Sequence, residues 1–204
     1  MLINNYMRNK NIANFFFEVG SLKRILRSSW QMFLDDGETI AEHSFITTII
    51  GYVLALLEKE AGNEIDENKV LKMCLFHDLP ETRTGDQNVL HQKYVRAYED
   101  EAIEDQYKDL FCGDELKSVL KEYNEGKYDQ EKSLEAVITK EADILEQLLH
   151  EKESQEKGNT YAAEWMEYSR NRLKTENGKK IAEEIINGSS RNWWYDMAVE
   201  KKSK

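Results

Sequence analysis

Three observations predict an all-α fold. One proline and ten glycines are all that punctuate 204 residues. Glu, Lys, Leu and Ala, all strong helix formers, dominate the stretches between them. No segment alternates apolar and polar residues with the period of two that a half-buried strand requires. A chain of this length can bury a core without disulfides or a structural metal, and it is read as one domain, residues 1–204.

The elements follow from punctuation and periodicity. A first helix spans Asn11–Val19 and ends at Gly20. A short second helix begins near Ser21 and carries LKRILR, and the loop SSWQMFLDDGE follows. TIAE is a capping box, because the Thr39 hydroxyl can accept from the Glu42 amide while the Glu42 carboxylate reaches back. The third helix runs from there to about Glu60 and stops at Gly62. Asp66 can cap the fourth, which ends near Asp78, since Leu79 precedes Pro80 and is steered away from helical angles. RTGD then reads as a turn. Further helices are expected over Gln92–Leu110, Asp114–Asn124, Glu131–Glu153, Tyr161–Thr175 and Lys179–Ile186. A Trp-rich segment, Arg191–Val199, closes the chain and either packs on the domain or anchors an interface.

Bulk properties exclude several classes. A net charge of −11 argues against a nucleic-acid polymer as partner, although a local positive centre can still hold a small phosphorylated molecule. The longest apolar stretch, Phe45–Leu57, is interrupted by Thr47 and Thr48 and is too short for a membrane span. The first residues carry no signal-peptide pattern. The two cysteines, Cys74 and Cys112, read as free thiols in a reducing cytoplasm.

Helical phase then locates chemistry. In the third helix the apolar face holds Ile46, Ile49, Ile50, Val53 and Leu57, and His43 falls on that face. In the fourth, Val70, Leu71 and Cys74 define the inner face, which His77 and Asp78 continue at three and four residues beyond Cys74. Each polar group points inward, where it costs energy unless paired. A divalent cation would satisfy the carboxylate and both imidazoles, and a helix C-terminus favours a cation. The alternatives are a hydrogen-bonded core histidine at 43 and a helix-terminal cap at 77–78.

The motifs AEHS (His43), FHD (His77, Asp78) and KEAD (Asp143) resemble the H…HD…D signature of the HD-domain metal-dependent phosphohydrolases. LKRILRSSW, ETIAEHS, HDLPETRTGD and EYNEGKYDQEKSLEAVITKEADILEQLL look like the branch containing the 5′-deoxynucleotidases, in order from about residue 20 to 150. The resemblance implies a compact multi-helix bundle with a divalent-metal cleft, the helices of 151–204 packing on its core or at an interface. It assigns His43, His77, Asp78 and Asp143 as ligands of one ion, which the mixed N/O set leaves open among Zn, Mn, Co, Fe, Ni and Mg. It assigns Glu81 as the catalytic carboxylate, and Asp86 to a sugar hydroxyl or the leaving oxygen. Arg27 is assigned to phosphate, and Trp30 to the neighbourhood of the sugar. It implies a small nucleotide substrate cleaved to nucleoside and phosphate, and a homodimer. A non-catalytic metal-binding HD protein and an HD hydrolase of another phosphoester are the alternatives. Periodicity by itself makes Asp143 a solvated acid, lying opposite a stripe of Leu134, Val137, Ile138, Ala142, Leu145 and Leu149. His91 and His150 fall outside the motifs and are expected at the surface.

Overall fold

The computed structural model describes residues 2–33, 37–125 and 133–202. Among the described residues there are helices and no strands, with one isolated antiparallel bridge between Leu26 and Thr39. The helices are α1 (Leu2–Ser21), α2 (Trp30–Phe33), α3 (Ile40–Glu60), α4 (Glu67–Phe76), α5 (Glu81–Thr84) and α6 (Val89–Tyr94). They continue with α7 (Glu99–Tyr107), α8 (Gly113–Glu125), α9 (Leu134–Glu156), α10 (Ala162–Asn171), α11 (Glu176–Asn187) and α12 (Asn192–Lys202).

The caps read from the sequence are made. Thr39 and Glu42 form the reciprocal box at the start of α3. Asp66 accepts from the amides of Asn68 and Lys69 at the start of α4. Gly62 follows α3 at φ 95°, a left-handed angle that glycine adopts without steric cost.

α9 is the central helix. α3, α4, α10 and α11 all pack against it, around a core that includes Leu54, Val70, Ile138, Leu145 and Leu148. Residues 141–146 of α9 are therefore buried without a break. A second apolar cluster joins Leu22, Ile40 and Leu79 to α7 and α8 through Ile103, Tyr107, Leu116 and Leu120.

Several elements differ from the sequence expectation. The segment LKRILR holds only a 3-10 turn, Leu22–Arg24, after which Ile25 is extended (φ −101°, ψ 116°). Arg27 N–H donates to Glu38 O and Ile40 N–H to Ile25 O, so residues 25–27 are strapped along the entrance to α3. The expected helix over Gln92–Leu110 is two helices, α6 and α7, because Val95 is extended and residues 95–98 leave helical geometry. Val95 and Ala97 line the central cavity in this break. α1 begins well before Asn11, and a short helix, α2, lies within the expected loop. Residues 34–36 of that loop, and the expected helix start at 131–132, lie outside the described residues.

α3 also packs by a different face. Its buried residues include His43, Thr47, Gly51, Leu54 and Glu58, whereas Ile46, Ile49 and Val53 are 36%, 49% and 47% exposed. The reason lies at Gly51, where an added Cβ would collide with Cys74 Sγ and press on Val70. Close approach of α3 to α4 requires the small residue, so the bulkier aliphatic ridge stays outside. His43 is buried, as expected, but on the small and polar side. α3 has the length and mean hydropathy of a membrane-crossing helix. Its His43, Thr47 and Glu58 side is nevertheless turned into the interior against α4, α9 and α11. Trp193, Trp194 and Tyr195 of α12 are exposed rather than packed on the domain.

Candidate metal centre and cleft

Three elements bring the four candidate ligands together. His43 comes from the first turns of α3, His77 and Asp78 from the turn that ends α4, and Asp143 from the middle of α9. The His43 Nε2 atom lies 3.3 Å from Asp143 Oδ1 and 3.5 Å from Asp78 Oδ2. The His77 Nε2 atom lies 3.3 Å from Asp78 Oδ1. Donor atoms of His43, His77 and Asp143 fall within 4.8 Å of one another.

Each imidazole is oriented from behind. The His77 Nδ1–H donates to Cys74 O at 2.8 Å, the carbonyl one turn earlier. That bond leaves the Nε2 lone pair toward the carboxylates, and this buried atom has no hydrogen-bond partner among the described residues. The His43 Nδ1 atom meets Glu146 Oε2 at 2.6 Å, again presenting Nε2 to Asp78 and Asp143. A buried orphan imidazole nitrogen facing two carboxylates fits a borderline divalent cation, and the donor set suits Zn, Mn, Fe, Co or Ni.

The surrounding charges keep both aspartates ionised. Burial alone would raise Asp78, but His77, Arg27 and His43 hold it below the usual carboxylate value. Burial also opposes the charge on Asp143, and Lys140, His43 and Arg27 carry it well below normal. Lys140 Nζ is 2.6 Å from Asp143 Oδ2. Arg27 bridges the pair, with Nη1 2.9 Å from Asp78 Oδ2 and Nη2 3.6 Å from Asp143 Oδ1. Burial and Arg27 work against a charged His43, yet hydrogen bonds to Asp143 and Glu146 bring it up to about 9. His77 is lowered, chiefly by burial.

Glu81 opens α5 directly after Pro80, and burial with the nearby Asp78 and Asp86 pushes its carboxyl up to about 10. Its Oε2 is buried with no hydrogen-bond partner among the described residues. Asp86 follows Gly85, whose φ of 72° turns the chain back, and it accepts from the Ser28 amide on the Arg27 strap. Arg27, Asp78, Glu81, Asp86 and Asp143 all line one cavity of about 590 Å³. This lies within the usual range of small-molecule sites.

Trp30 is not brought to this cavity. It is 2% exposed and its ring stacks on His150 at 3.7 Å. His150 is accordingly half-buried under that ring rather than at the surface. Asp143 corrects the periodicity reading, since α9 is enclosed on all sides and has no solvated face at that level. Leu149, expected in the buried stripe, is exposed instead.

Sequence reasoning missed Lys140 and Glu146. The available signal was their spacing, three residues before and three after Asp143, which places each of them beside Asp143 on the helix. It also missed the α10 wall of the cavity, Trp165, Tyr168 and Arg172, for which no motif gives a signal.

The HD domain family profile matches residues 19–186. The chain belongs to the HD-domain family. His77 and Asp78 are adjacent in the sequence and lie within the matched residues. The chain is 28% identical over 146 residues to a protein of Dictyostelium discoideum named 5′-deoxynucleotidase HDDC2, covering 68% of this chain and 75% of that one. It is 28% identical over 149 residues to a Bos taurus protein of the same name, covering 71% and 68%. A crystal structure of a Pyrococcus horikoshii protein superposes with a TM-score of 0.70 at 30% identity, covering 85% of this chain and 98% of that one. The HD-domain match reaches past residue 150 through α10 and most of α11, which pack on α9.

Proposed function

We propose that this HD-domain protein is a divalent-metal-dependent phosphohydrolase that cleaves nucleoside 5′-monophosphates, deoxynucleotides included, to nucleoside and phosphate. The observation that carries the reading is the convergence of His43, His77, Asp78 and Asp143 beside a half-buried arginine, Arg27, and a half-buried carboxyl group, Glu81, with a raised pKa. The names of the two curated relatives point the same way.

The ligands would be His43, His77, Asp78 and Asp143, and the bound ion would polarise phosphoryl oxygens and acidify water at the site. Arg27 presents a planar fork to the non-bridging oxygens of the phosphate. Its charge is retained despite desolvation because the carboxylates of Asp78, Asp143 and Asp86 surround it. Glu81, whose carboxyl pKa is raised by burial and the neighbouring carboxylates, would deliver a proton to the 5′ oxygen as the phosphorus–oxygen bond breaks and the electron pair moves to that oxygen. Water supplies the incoming oxygen, and one of its protons returns to the Glu81 carboxylate. Asp86, fixed by the Ser28 amide, accepts from a sugar hydroxyl. Ser28 Oγ in turn accepts from the Asn88 amide, so both sides of the substrate mouth are tied to the Arg27 strap.

The test is metal analysis of the purified protein, then a phosphate-release panel of 5′-ribo- and deoxyribonucleoside monophosphates with Zn, Mn, Co, Fe, Ni and Mg. Release from at least one monophosphate that is abolished by chelation and restored by an ion is the expected result. Bound metal without release from any of them refutes the activity and leaves a non-catalytic HD protein or a different phosphoester. The same preparation tests the homodimer that the resemblance implies, by light scattering.

A further inference from the structure

We propose that Trp165 and Tyr168 of α10, with Arg172 at its C-terminal end, form a nucleobase subsite at the end of the cavity away from the metal ligands. This deepens the function proposed above and rests on it for the position of the phosphate. Along α9, Lys140, Asp143 and Gln147 follow one another on the cavity wall at spacings of three and four residues. The wall therefore runs up α9 from the ligand Asp143 toward the helix that packs on it, α10. The junction is built rather than loose, because Gln147 Nε2 and the buried Ser169 hydroxyl both donate to Glu151 Oε1, at 2.8 and 3.1 Å. Ser169 follows Tyr168 directly and lies three residues before Arg172, so the bond sets the rotation of α10 that turns both toward the cavity.

The chemistry of this end suits a flat heteroaromatic group. Four residues lining the cavity carry rings: His77, Tyr123, Trp165 and Tyr168. His77 is a candidate ligand, and Tyr123 is buried with its ring against the edge of His77. Trp165 and Tyr168 remain, half-buried and exposed, in a T-shaped pair with centroids 5.9 Å apart. The Arg172 guanidinium lies 5.3 Å from the Tyr168 ring centroid, so this end offers aromatic and guanidinium planes together with hydrogen-bond donors. Bases stack on such surfaces whatever their identity, and the donors of Arg172 meet the acceptor atoms that every base carries at its edge.

Isothermal titration and steady-state kinetics on the metal-loaded protein test the subsite, comparing a deoxynucleoside 5′-monophosphate with deoxyribose 5-phosphate, which lacks the base. The wild type should bind the nucleotide more tightly than the sugar phosphate. Tyr168→Ala and Arg172→Ala should each weaken the nucleotide by about tenfold in Kd and KM. Both variants should leave the sugar phosphate and the metal content unchanged, and Tyr168→Phe should restore nucleotide affinity. Equal wild-type affinity for the two ligands overturns the subsite, as does loss of nucleotide affinity in neither alanine variant. Weakening of both ligands in parallel, the mark of a merely structural effect, also overturns it. A wild type that binds nucleotide with the Tyr168 dependence but releases no phosphate overturns the proposed activity and leaves the subsite standing.

Discussion

Replacing Glu146 is expected to loosen the metal without unfolding the chain. The buried Glu146 Oε2 lies 2.6 Å from the Nδ1 atom of His43, whose Nε2 faces Asp78 and Asp143. A hydrogen bond to a charged group contributes about 1.5–3 kcal/mol. The bond orients the ring and raises the basicity of the nitrogen offered to the ion, so most of that energy is coupled to binding. At about 1.4 kcal/mol per tenfold, Glu146→Ala should weaken the metal by about 10- to 100-fold. Glu146→Gln keeps an acceptor but not the charge, and should fall between the wild type and alanine. The assay is competition against a chromogenic chelator with Zn and with Co, alongside circular dichroism to confirm the helical fold. Affinity of Glu146→Ala within threefold of the wild type, with the fold intact, refutes the coupling and leaves the bond as packing. Glu38 adds a further check. Its Oε1 lies 3.9 Å from the same His43 nitrogen, and burial with the neighbouring Glu146 pushes its carboxyl up to about 7. Glu38→Gln should therefore change metal affinity less than Glu146→Gln does.

Other expectations follow from the same geometry. His77→Ala should lose metal and phosphate release together, whereas Glu81→Gln should keep metal and lower kcat by about 10²- to 10⁴-fold; undiminished turnover in Glu81→Gln removes that residue from the chemistry. Gly51→Ala forces a methyl group onto Cys74 Sγ and should cost about 1–3 kcal/mol in urea unfolding, and a neutral result would mean that α3 and α4 can move apart freely. Glu151 is fully buried and its carboxyl is raised from 4.5 to about 7, chiefly by burial. Between those two pH values the folded chain holds a proton that the unfolded chain has released, so stability from this group is largest below about 4.5 and falls as pH rises to about 7. Glu151→Gln should remove that slope and stabilise the protein at pH 8 by about 1–2 kcal/mol; an unchanged slope of unfolding free energy against pH between 5 and 7 would contradict the burial argument.

Local chemistry was legible in the sequence because its signals act over a few residues. Thr39, Glu42 and Asp66 cap the helices that their spacing predicts, since a cap needs only a side chain and the next turn. The inward phase of His77 and Asp78 was legible for the same reason, because α4 buries one clean stripe through Val70 and Cys74. What failed were readings that required knowing what lies across from a helix. α3 turned its Gly51 side inward because of Cys74, a contact that no window of α3 contains. The expected helix over Gln92–Leu110 broke at 95–98, where Val95 and Ala97 face a cavity that other helices enclose.

The sequence by itself determined an all-helical chain and two histidines and an aspartate turned inward at helix ends, and its resemblance to the HD-domain family singled out Asp143. Only the tertiary structure decided that Asp143 is buried, because α9 is buried on every face from 141 to 146 and periodicity reports a face only when one face is wet. It also decided the partners. Glu146 stands behind His43, Arg27 lies between Asp78 and Asp143, Trp30 stacks on His150 away from the cavity, and α10 forms the far wall. These pairings join residues from about 50 to more than 100 positions apart, which only the packing of one helix on another can choose.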